Sequence, residues 1–281
     1  MAGVSTKEIK NRIRSMESTK QITKAMEMVA ASKLRRAQSR VASSRPYFEI
    51  LYATIHEIVE SNRDFSSPYL KDKGEGKTLH IVISGDRGLA GGYNSNVLKL
   101  AVSQMEGQEA TVLPIGKKTV DFFKNREIPM LTQKYTEAEG MSLGDCFTVS
   151  KDLCKRYLNG EFHRIYITYT NFVSVLSQTP ETRQLLPLVK QQEPKEEKVQ
   201  SDILYEPGCE EVFDAIIPEY LGGVLYGALC ESRAAEQAAR RTAMDSATQN
   251  ADEMIADLSL KYNRARQASI TQEITEIVAG L

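Results

Sequence analysis

The feature that most constrains this 281-residue chain is a long stretch near its end without a helix-breaking residue. After Gly227, neither glycine nor proline occurs until Gly280, and residues of good helix propensity dominate the stretch between them. We predict one helix from about residue 210 to 279, bent near its start by Pro218 and by the glycine pair at 222 and 223. Such a helix reaches roughly 100 Å at 1.5 Å per residue, so we expect it to project from any globular domain.

A second long helix is predicted for residues 6–61 at the other end of the chain, with a kink or break at Pro46. Apolar residues recur in it at helical spacing: Ile9, Ile13, Met16, Ile22, Met26 and Val29. In the C-terminal helix the predicted packing seam runs through Leu225, Leu229, Ser232, Glu236, Ala239, Ala243, Ser246, Asn250, Met254 and Leu258. Small residues fill much of this seam, which favours close approach of two helices.

The two ends carry opposite charge. Residues 1–45 hold 11 Lys or Arg against three Asp or Glu, whereas residues 206–281 hold six against 13. This asymmetry favours side-by-side pairing of the two terminal helices, although two solvated helices that never meet remain an alternative.

An apolar stripe closes the C-terminal helix: Ile270, Ile274, Ile277, Val278 and Leu281. Because the N-terminal helix is shorter, we expect it to end before this stripe begins, so that another protein must cover the tip. The alternative is that the stripe packs on the N-terminal helix.

The middle of the chain reads as a separate α/β domain. Predicted strands at 79–85, 111–116, 128–131, 164–170 and 173–178 alternate with helices at 94–106, 117–125 and 142–159. This alternation favours a parallel, doubly wound sheet. With a polar hinge at 62–76 and a charged linker at 190–202, the predicted parts are 1–61, 62–205 and 206–281. The predicted fold class is therefore mixed α+β, a terminal coiled coil with an inserted α/β, Rossmann-like domain.

Chemical motifs are weak in this sequence. The loop SGDRGLAGGYN at 84–94 lies where α/β folds bind ligands, but its glycine spacing matches neither the dinucleotide nor the P-loop pattern. A structural turn, or a surface contacted by another subunit, is the favoured interpretation. A phosphotransfer enzyme that uses Asp86 and Gly88–Gly92 is an alternative.

Other classes are disfavoured by residue usage. The three histidines (56, 80, 163) are scattered, and the four cysteines (146, 154, 209, 230) form no CxxC pair, so we expect reduced thiols and no zinc cluster. The basic cluster at 33–36 lacks interleaved aromatics and the net charge is −1, which argues against nucleic-acid binding. We also expect no apolar run of the ~20 residues that cross a bilayer, and no secretory signal.

Four segments resemble the gamma subunit of F-type ATP synthases: STKQITKAMEMVAASKLRRA (18–37), SGDRGLAGGYNSN (84–96), ILYEP (203–207) and YNRARQASITQEITEIVAG (262–280). The resemblance covers essentially the whole chain. It implies the central rotor shaft, which transmits torque between the membrane c ring and the catalytic alpha/beta hexamer. Ion flow then drives ATP synthesis, or ATP hydrolysis drives pumping. A coiled-coil adaptor that holds its partners without turning is the alternative.

The family also implies partners and a location. These are the alpha and beta subunits, the epsilon subunit and the c-subunit ring, with no nucleic acid and no direct membrane insertion. The isolated chain would be non-catalytic and bind no cofactor, because ATP or ADP and Mg²⁺ sit on the alpha and beta subunits. It would lie peripherally on the cytoplasmic face of a bacterial cell membrane. The linker holds no cysteine, so disulfide regulation of the chloroplast type is not expected, and a helix that starts near Val4 favours a bacterial enzyme.

Family analogy further assigns site residues. Met26 would pass the acidic loops of the beta subunits. The C-terminal helix would engage a beta loop through Arg266, Gln267, Thr271 and Glu273, with Glu236 and Arg240 in a supporting cluster. The foot would meet the c ring through Leu204, Tyr205 and Glu206. The apolar tip would turn in a sleeve of partner subunits without adhering to any one position.

Overall fold

A computed structural model describes residues 6–61, 66–188, 206 and 208–280, apart from the side chains of residues 48, 49, 52, 56 and 59–61. Two long helices lie at the ends of this described part, α1 (Thr6–Ser61) and α5 (Cys209–Ala279). Both predicted terminal helices are thus confirmed. Neither helix is broken by its internal proline, since α1 continues through Pro46 and α5 through Pro218. Of the two alternatives expected at Pro46, the break is therefore wrong and the kink stays a prediction.

Between the long helices lies a four-stranded sheet. Its elements follow one another as β1 (Thr78–Ile83), α2 (Tyr93–Met105), β2 (Ala110–Ile115), α3 (Lys117–Lys124), α4 (Leu143–Leu158), β3 (Arg164–Phe172) and β4 (Gln178–Leu186). The strand order is β2-β1-β3-β4. Strand β1 pairs in parallel with both β2 and β3, whereas β4 is antiparallel to β3. The mixed fold class is confirmed, but the sheet is not wholly parallel.

The predicted strand at 173–178 is wrong. This segment is the turn of the β3–β4 hairpin, closed by reciprocal backbone bonds between Ser174 and Ser177. The true strand, β4, begins at Gln178 and pairs with β3 alone. Its sequence QTPETRQLL is polar and contains Pro180, a composition that an edge strand tolerates and that conceals it from pattern analysis.

The predicted strand at 128–131 is reduced to one bridge. Val112 of β2 donates to the Pro129 carbonyl over 2.8 Å and accepts from the Leu131 amide over 2.8 Å. Pro129 has no N–H to donate, so the pairing cannot extend as a regular ladder.

The sheet forms the middle of three layers. Alternate residues of each strand face opposite sides, because side chains alternate along a β-strand. On one side, Val82 and Val112 pack with α2 and α3 around Phe123. On the other side, the larger core joins the sheet to α4 and to the adjacent parts of α1 and α5: Ile55, Ile58, Leu79, Ile81, Ile165, Ile167, Leu153, Phe213, Ile217, Leu221 and Leu225.

One close approach explains a glycine in α5. A Cβ at Gly222 would lie 2.3 Å from Phe147 Cδ1 on α4, which is well inside contact distance. Nearby, the Ser150 hydroxyl donates to the Pro218 carbonyl over 2.7 Å. Gly222 and Pro218, which the sequence analysis interpreted as a bend, thus both lie where α4 packs against α5.

Helix α5 also contains an 18-residue stretch that is long and apolar enough to cross a membrane by length and composition, and 44% of it is buried in the protein. The expectation that no such stretch exists is corrected. Core helices meet the same test, and Phe213, Ile217 and Leu221 of α5 are indeed core residues.

The chain divides into two compact units. One contains the residues up to Ser32 and those from Arg240 onward, and the other contains Lys33–Ala239 with the whole sheet. The boundaries 62–205 proposed for the central domain stay a prediction.

A buried histidine should make the second unit sensitive to acid. His80 on β1 is 1% exposed and its ring stacks on Tyr166 at 5.0 Å. Burial lowers its pKa from 6.5 to about 4. The unfolded chain therefore takes up a proton near pH 6.5 that the native chain refuses until about pH 4. Stability should fall as the pH drops through this window, by about 2 kcal/mol at pH 5.

The measurement is urea unfolding at pH 7.5 and pH 5. We expect His80→Phe, which preserves the ring stacking, to lose that part of the pH dependence, whereas His163→Gln should retain it. Equal pH dependence in the wild type and in His80→Phe would show that His80 is not responsible.

Candidate functional site

The paired terminal helices form the candidate site, and their pairing is defined within the first unit. Lys20 Nζ lies 2.5 Å from Asp252 Oδ1, and Thr23 Oγ1 lies 2.8 Å from Thr248 Oγ1. As the residue number rises along α1, that of its partner on α5 falls. The helices are therefore paired, as the charge asymmetry predicted, and they run antiparallel.

Small and polar residues fill the seam of this pair. The buried positions on α1 include Ile9, Thr23 and Ala30, and those on α5 include Met244, Thr248 and Ala251. Along α5, the buried or half-buried positions 244, 248, 251, 255, 258, 262 and 265 alternate steps of four and three. This 3.5-residue period is that of a left-handed coiled coil.

The predicted seam is partly wrong. Ser246, Asn250 and Met254 are exposed. The predicted series alternates steps of four and three as far as Asn250, but these three positions lie one or two residues away from the observed seam at 244, 248, 251 and 255. On α1, Ile22 and Val29 are each 58% exposed although the sequence pattern grouped them with packing residues.

The C-terminal part of α5 has no apolar cover in the structure. The exposed fractions of its stripe are 46% for Ile270, 56% for Ile274, 66% for Ile277 and 68% for Val278. Every described residue from 266 onward is exposed. The stripe therefore does not pack on α1, and Leu281 lies outside the described residues.

The residues assigned by family analogy to a beta loop share this open part of α5. Arg266, Gln267, Thr271 and Glu273 are all exposed. Their hydrogen bonds stay within the helix, where the Thr271 hydroxyl donates to the Gln267 carbonyl over 2.9 Å and Ser269 donates to the Glu273 carboxylate over 3.3 Å. Their side chains are thus accessible to a partner.

The remaining assigned residues are distributed over both units. Met26 and Arg240 are half-buried in the first unit, and Glu236 is half-buried in the second, against the loop at Gly85. Glu206 is exposed. Leu204 and Tyr205 lie outside the described residues.

Sequence reasoning missed an exposed apolar group on α1. Met28 is 61% exposed and lies close in sequence to the exposed Ile22 and Val29. The signal was available, because none of these three residues falls on the 3.5-residue seam that contains Ile9 and Thr23.

The loop after β1 is braced by hydrogen bonds. Asp86 accepts backbone N–H groups from Ala138 (2.9 Å), Glu139 (3.1 Å) and Lys117 (3.3 Å). The Asn94 side chain accepts from Gly85 and donates to the Arg87 carbonyl. The carboxylate that an enzyme would use is therefore engaged in holding backbone.

Two buried thiols of the second unit are poorly suited to chemistry. Burial raises the pKa of Cys146 and of Cys154 to about 12. A thiol with so high a pKa supplies almost no thiolate, the reactive form, at neutral pH. Among the described residues, no group of three or more His, Cys, Asp or Glu side chains could hold a metal ion.

Comparison with known proteins decides the family. The family model described as ATP synthase matches residues 5–281. The ATP synthase gamma chain of Ruminococcus albus is 48% identical over 276 residues, which cover 96% of each chain. This chain belongs to the ATP synthase gamma-chain family. The gamma chain of Acetobacterium woodii, described as sodium ion specific, is 42% identical and covers 97% of this chain and 96% of its own length.

Solved structures share the gamma-chain fold. The central stalk of the Tetrahymena thermophila mitochondrial ATP synthase matches with a TM-score of 0.60 at 22% identity, covering 80% of this chain and 99% of that one. A chain of the Euglena gracilis mitochondrial enzyme matches with a TM-score of 0.64 at 17% identity, covering 98% and 93%. As a gamma chain, this protein is the central shaft subunit of an ATP synthase.

The Thr23–Thr248 pair should stabilise the gamma-chain coil cooperatively. One hydroxyl donates to the other, and the accepting hydroxyl donates its own proton to a carbonyl of its own helix, that of Lys20 or Met244. We expect Thr23→Val and Thr248→Val each to cost about 1 kcal/mol, because each leaves the remaining hydroxyl without its cross-helix partner. The double variant should cost clearly less than their sum, because it removes both hydroxyls.

Urea unfolding of the four proteins in this double-mutant cycle measures the coupling. The control is Thr19→Val, whose hydroxyl bonds only the Ser15 carbonyl and is exposed. Strict additivity of the two seam variants would contradict a direct interaction.

Proposed function

We propose that this gamma chain turns as one shaft inside the catalytic hexamer and makes its three catalytic sites inequivalent. The observation that carries the proposal is the unpaired end of α5, where an apolar stripe remains exposed beyond the seam with α1. Exposed apolar surface in a regular row costs free energy in water and marks a surface that a partner covers.

The apolar side chains at the C-terminal end of α5 suit a contact that must allow rotation. Ile270, Ile274, Ile277 and Val278 offer apolar contact, which is non-directional. Such a surface gains burial in any of several near-equivalent orientations, whereas a charged tip would favour whichever orientation paired its charge. An apolar tip can therefore be held by alpha and beta subunits and still rotate.

Specific contacts would lie below the tip. Exposed polar and charged groups on α5 can recognise a beta loop: Arg266, Gln267, Thr271 and Glu273. Arginine suits this role because its planar guanidinium binds a carboxylate through two parallel bonds. On α1 we propose Met26 for the passage of acidic beta loops. On α5 we propose Glu236 and Arg240 as the supporting cluster for the beta-loop contact.

We propose that the chain itself catalyses nothing and holds no nucleotide. The engagement of Asp86 with three backbone amides supports this, since its oxygens are occupied. ATP, ADP and Mg²⁺ would be held by the alpha and beta subunits. The effect of the chain on catalysis is then a coupling between its orientation and the state of each beta subunit.

The opposite end of the shaft would contact the membrane sector. We propose that Leu204, Tyr205 and Glu206 meet the c-subunit ring and that the epsilon subunit binds beside them. The chain would then be peripheral, on the cytoplasmic face of the membrane, without inserting into it. Whether the coupling ion is a proton or sodium is decided by other subunits.

Copurification tests the shaft against a non-rotating adaptor. A tag on this chain should recover three alpha and three beta subunits per copy, because a central shaft is single. In single-molecule observation, a bead on this chain should turn when ATP is added. Equal amounts of the three subunits, or ATP hydrolysis without any turning, would contradict the shaft proposal. Hydrolysis by the isolated chain would contradict its non-catalytic role.

The tip gives a second prediction. Ile274→Glu combined with Ile277→Glu should lower ATP-driven rotation or assembly at least tenfold, since each buried carboxylate would lose hydration without gaining a partner. Rotation rate and subunit yield are the measurements. The control is Gln272→Glu, which adds one charge off the stripe and should retain near wild-type rotation. Wild-type behaviour of the double variant would show that the stripe is not enclosed.

A further inference from the structure

A short loop between α3 and α4 is held to the long helices by charged groups. Residues 137–141 form this loop, and its Ala138 and Met141 side chains are each 5% exposed within the larger core. The loop therefore lies where the sheet domain meets the long helices inside the second unit.

From the sheet side, Asp86 accepts hydrogen bonds from the loop. Its Oδ1 accepts the Ala138 amide over 2.9 Å and its Oδ2 accepts the Glu139 amide over 3.1 Å. Asp86 follows β1 directly, so the loop is tied to the centre of the sheet.

From the helix side, Arg233 of α5 grips the same loop. Its Nη2 donates to the Met141 carbonyl over 2.9 Å and to the Ala138 carbonyl. A third bond comes from α1, where Lys33 Nζ lies 2.8 Å from Glu139 Oε1. The amides of the loop thus face a carboxylate of the sheet domain, and its carbonyls face a guanidinium of α5.

These bonds differ in strength. The Lys33 and Glu139 side chains are 44% and 68% exposed, and an ion pair so open to solvent contributes little to stability. The hydrogen bonds of Arg233 are charge-assisted and partly shielded, and bonds of that kind are stronger. Arg233 is therefore the main link from α5.

An arginine at position 233 also carries a desolvation cost. Its Nε is buried, and among the described residues no hydrogen-bond partner accepts from it. A methionine would fill similar space without that cost. This cost would be offset if the two carbonyl bonds fix an orientation, which apolar packing alone does not do.

We infer that Arg233 is a positioning residue that fixes the angle between the sheet domain and the shaft helices. Apolar burial holds the sheet against α5 but is non-directional, so it resists separation better than rolling. Hydrogen bonds to fixed carbonyls resist rolling because they weaken steeply with misalignment. A shaft that receives torque at its sheet domain needs this angular lock. The inference rests on the proposed rotary function.

The test uses the assembled ATP synthase with its alpha and beta subunits immobilised. A bead is attached to this chain at Lys99→Cys, an exposed position on α2, in a Cys209→Ser background. The other three cysteines are buried. The width of the bead's angular distribution during catalytic pauses reports the torsional stiffness between the sheet domain and the held shaft.

We expect Arg233→Met to broaden this distribution, raising the angular variance about twofold through loss of both carbonyl bonds. Arg233→Lys, which retains charge and one donor group, should recover part of the stiffness. The matched control is Arg156→Met on α4, whose arginine pairs with Asp152 and Glu161 within the sheet domain and reaches neither long helix. That variant should have wild-type variance.

The outcomes distinguish failure of the angular lock from failure of the rotary function. Unchanged variance in Arg233→Met, with normal turning, would overturn the angular lock and leave the shaft role intact. Absence of turning in the unmodified complex would instead contradict the rotary function. If Arg233→Met assembles poorly, Asp86→Asn weakens the same loop from the sheet side and should raise the variance in the same way, and an unchanged variance there would equally overturn the lock.

Discussion

The register between the two terminal helices is the constraint on which the rest of the structure depends. In the first unit it is set by Thr23 against Thr248 and by Lys20 against Asp252. In the second unit Leu34 packs in one cluster with Ala234 and Ala238. Small residues on α5 let the backbones approach, but they bury little apolar area per turn. Polar pairs therefore matter more here than in a leucine-rich coil, since they exclude alternative registers.

Much of the architecture could be predicted from the sequence, for identifiable reasons. The bounds of α1 and α5 followed from the distribution of glycine and proline, which act locally. Strand β4 could not be found in this way, because a polar edge strand with Pro180 lacks the alternation that marks a half-buried strand. The seam on α5 was misplaced beyond Ala243, because small and polar residues occupy most positions of this stretch and give little apolar contrast to identify the buried face.

The candidate site was predictable in kind but not in detail. The apolar stripe near the C-terminus is legible because five branched residues share one helical face. The hydrogen bonds from Arg233 to the 137–141 loop could not be predicted from the sequence. They join residues as far as 95 apart through backbone carbonyls, which have no side-chain signature. Asp86 was noted as a possible catalytic group, yet its oxygens bind backbone amides. A carboxylate after a strand can serve folding as readily as chemistry.

The uncovered stripe on α5 also bears on how cells must supply this chain. A copy made before its partners would expose Ile270, Ile274, Ile277 and Val278 together, and such surfaces associate with one another. Surplus copies would thus tend to cluster or be degraded. With the proposed stoichiometry of one shaft per hexamer, the synthesis of this chain would have to stay below that of the ring subunits.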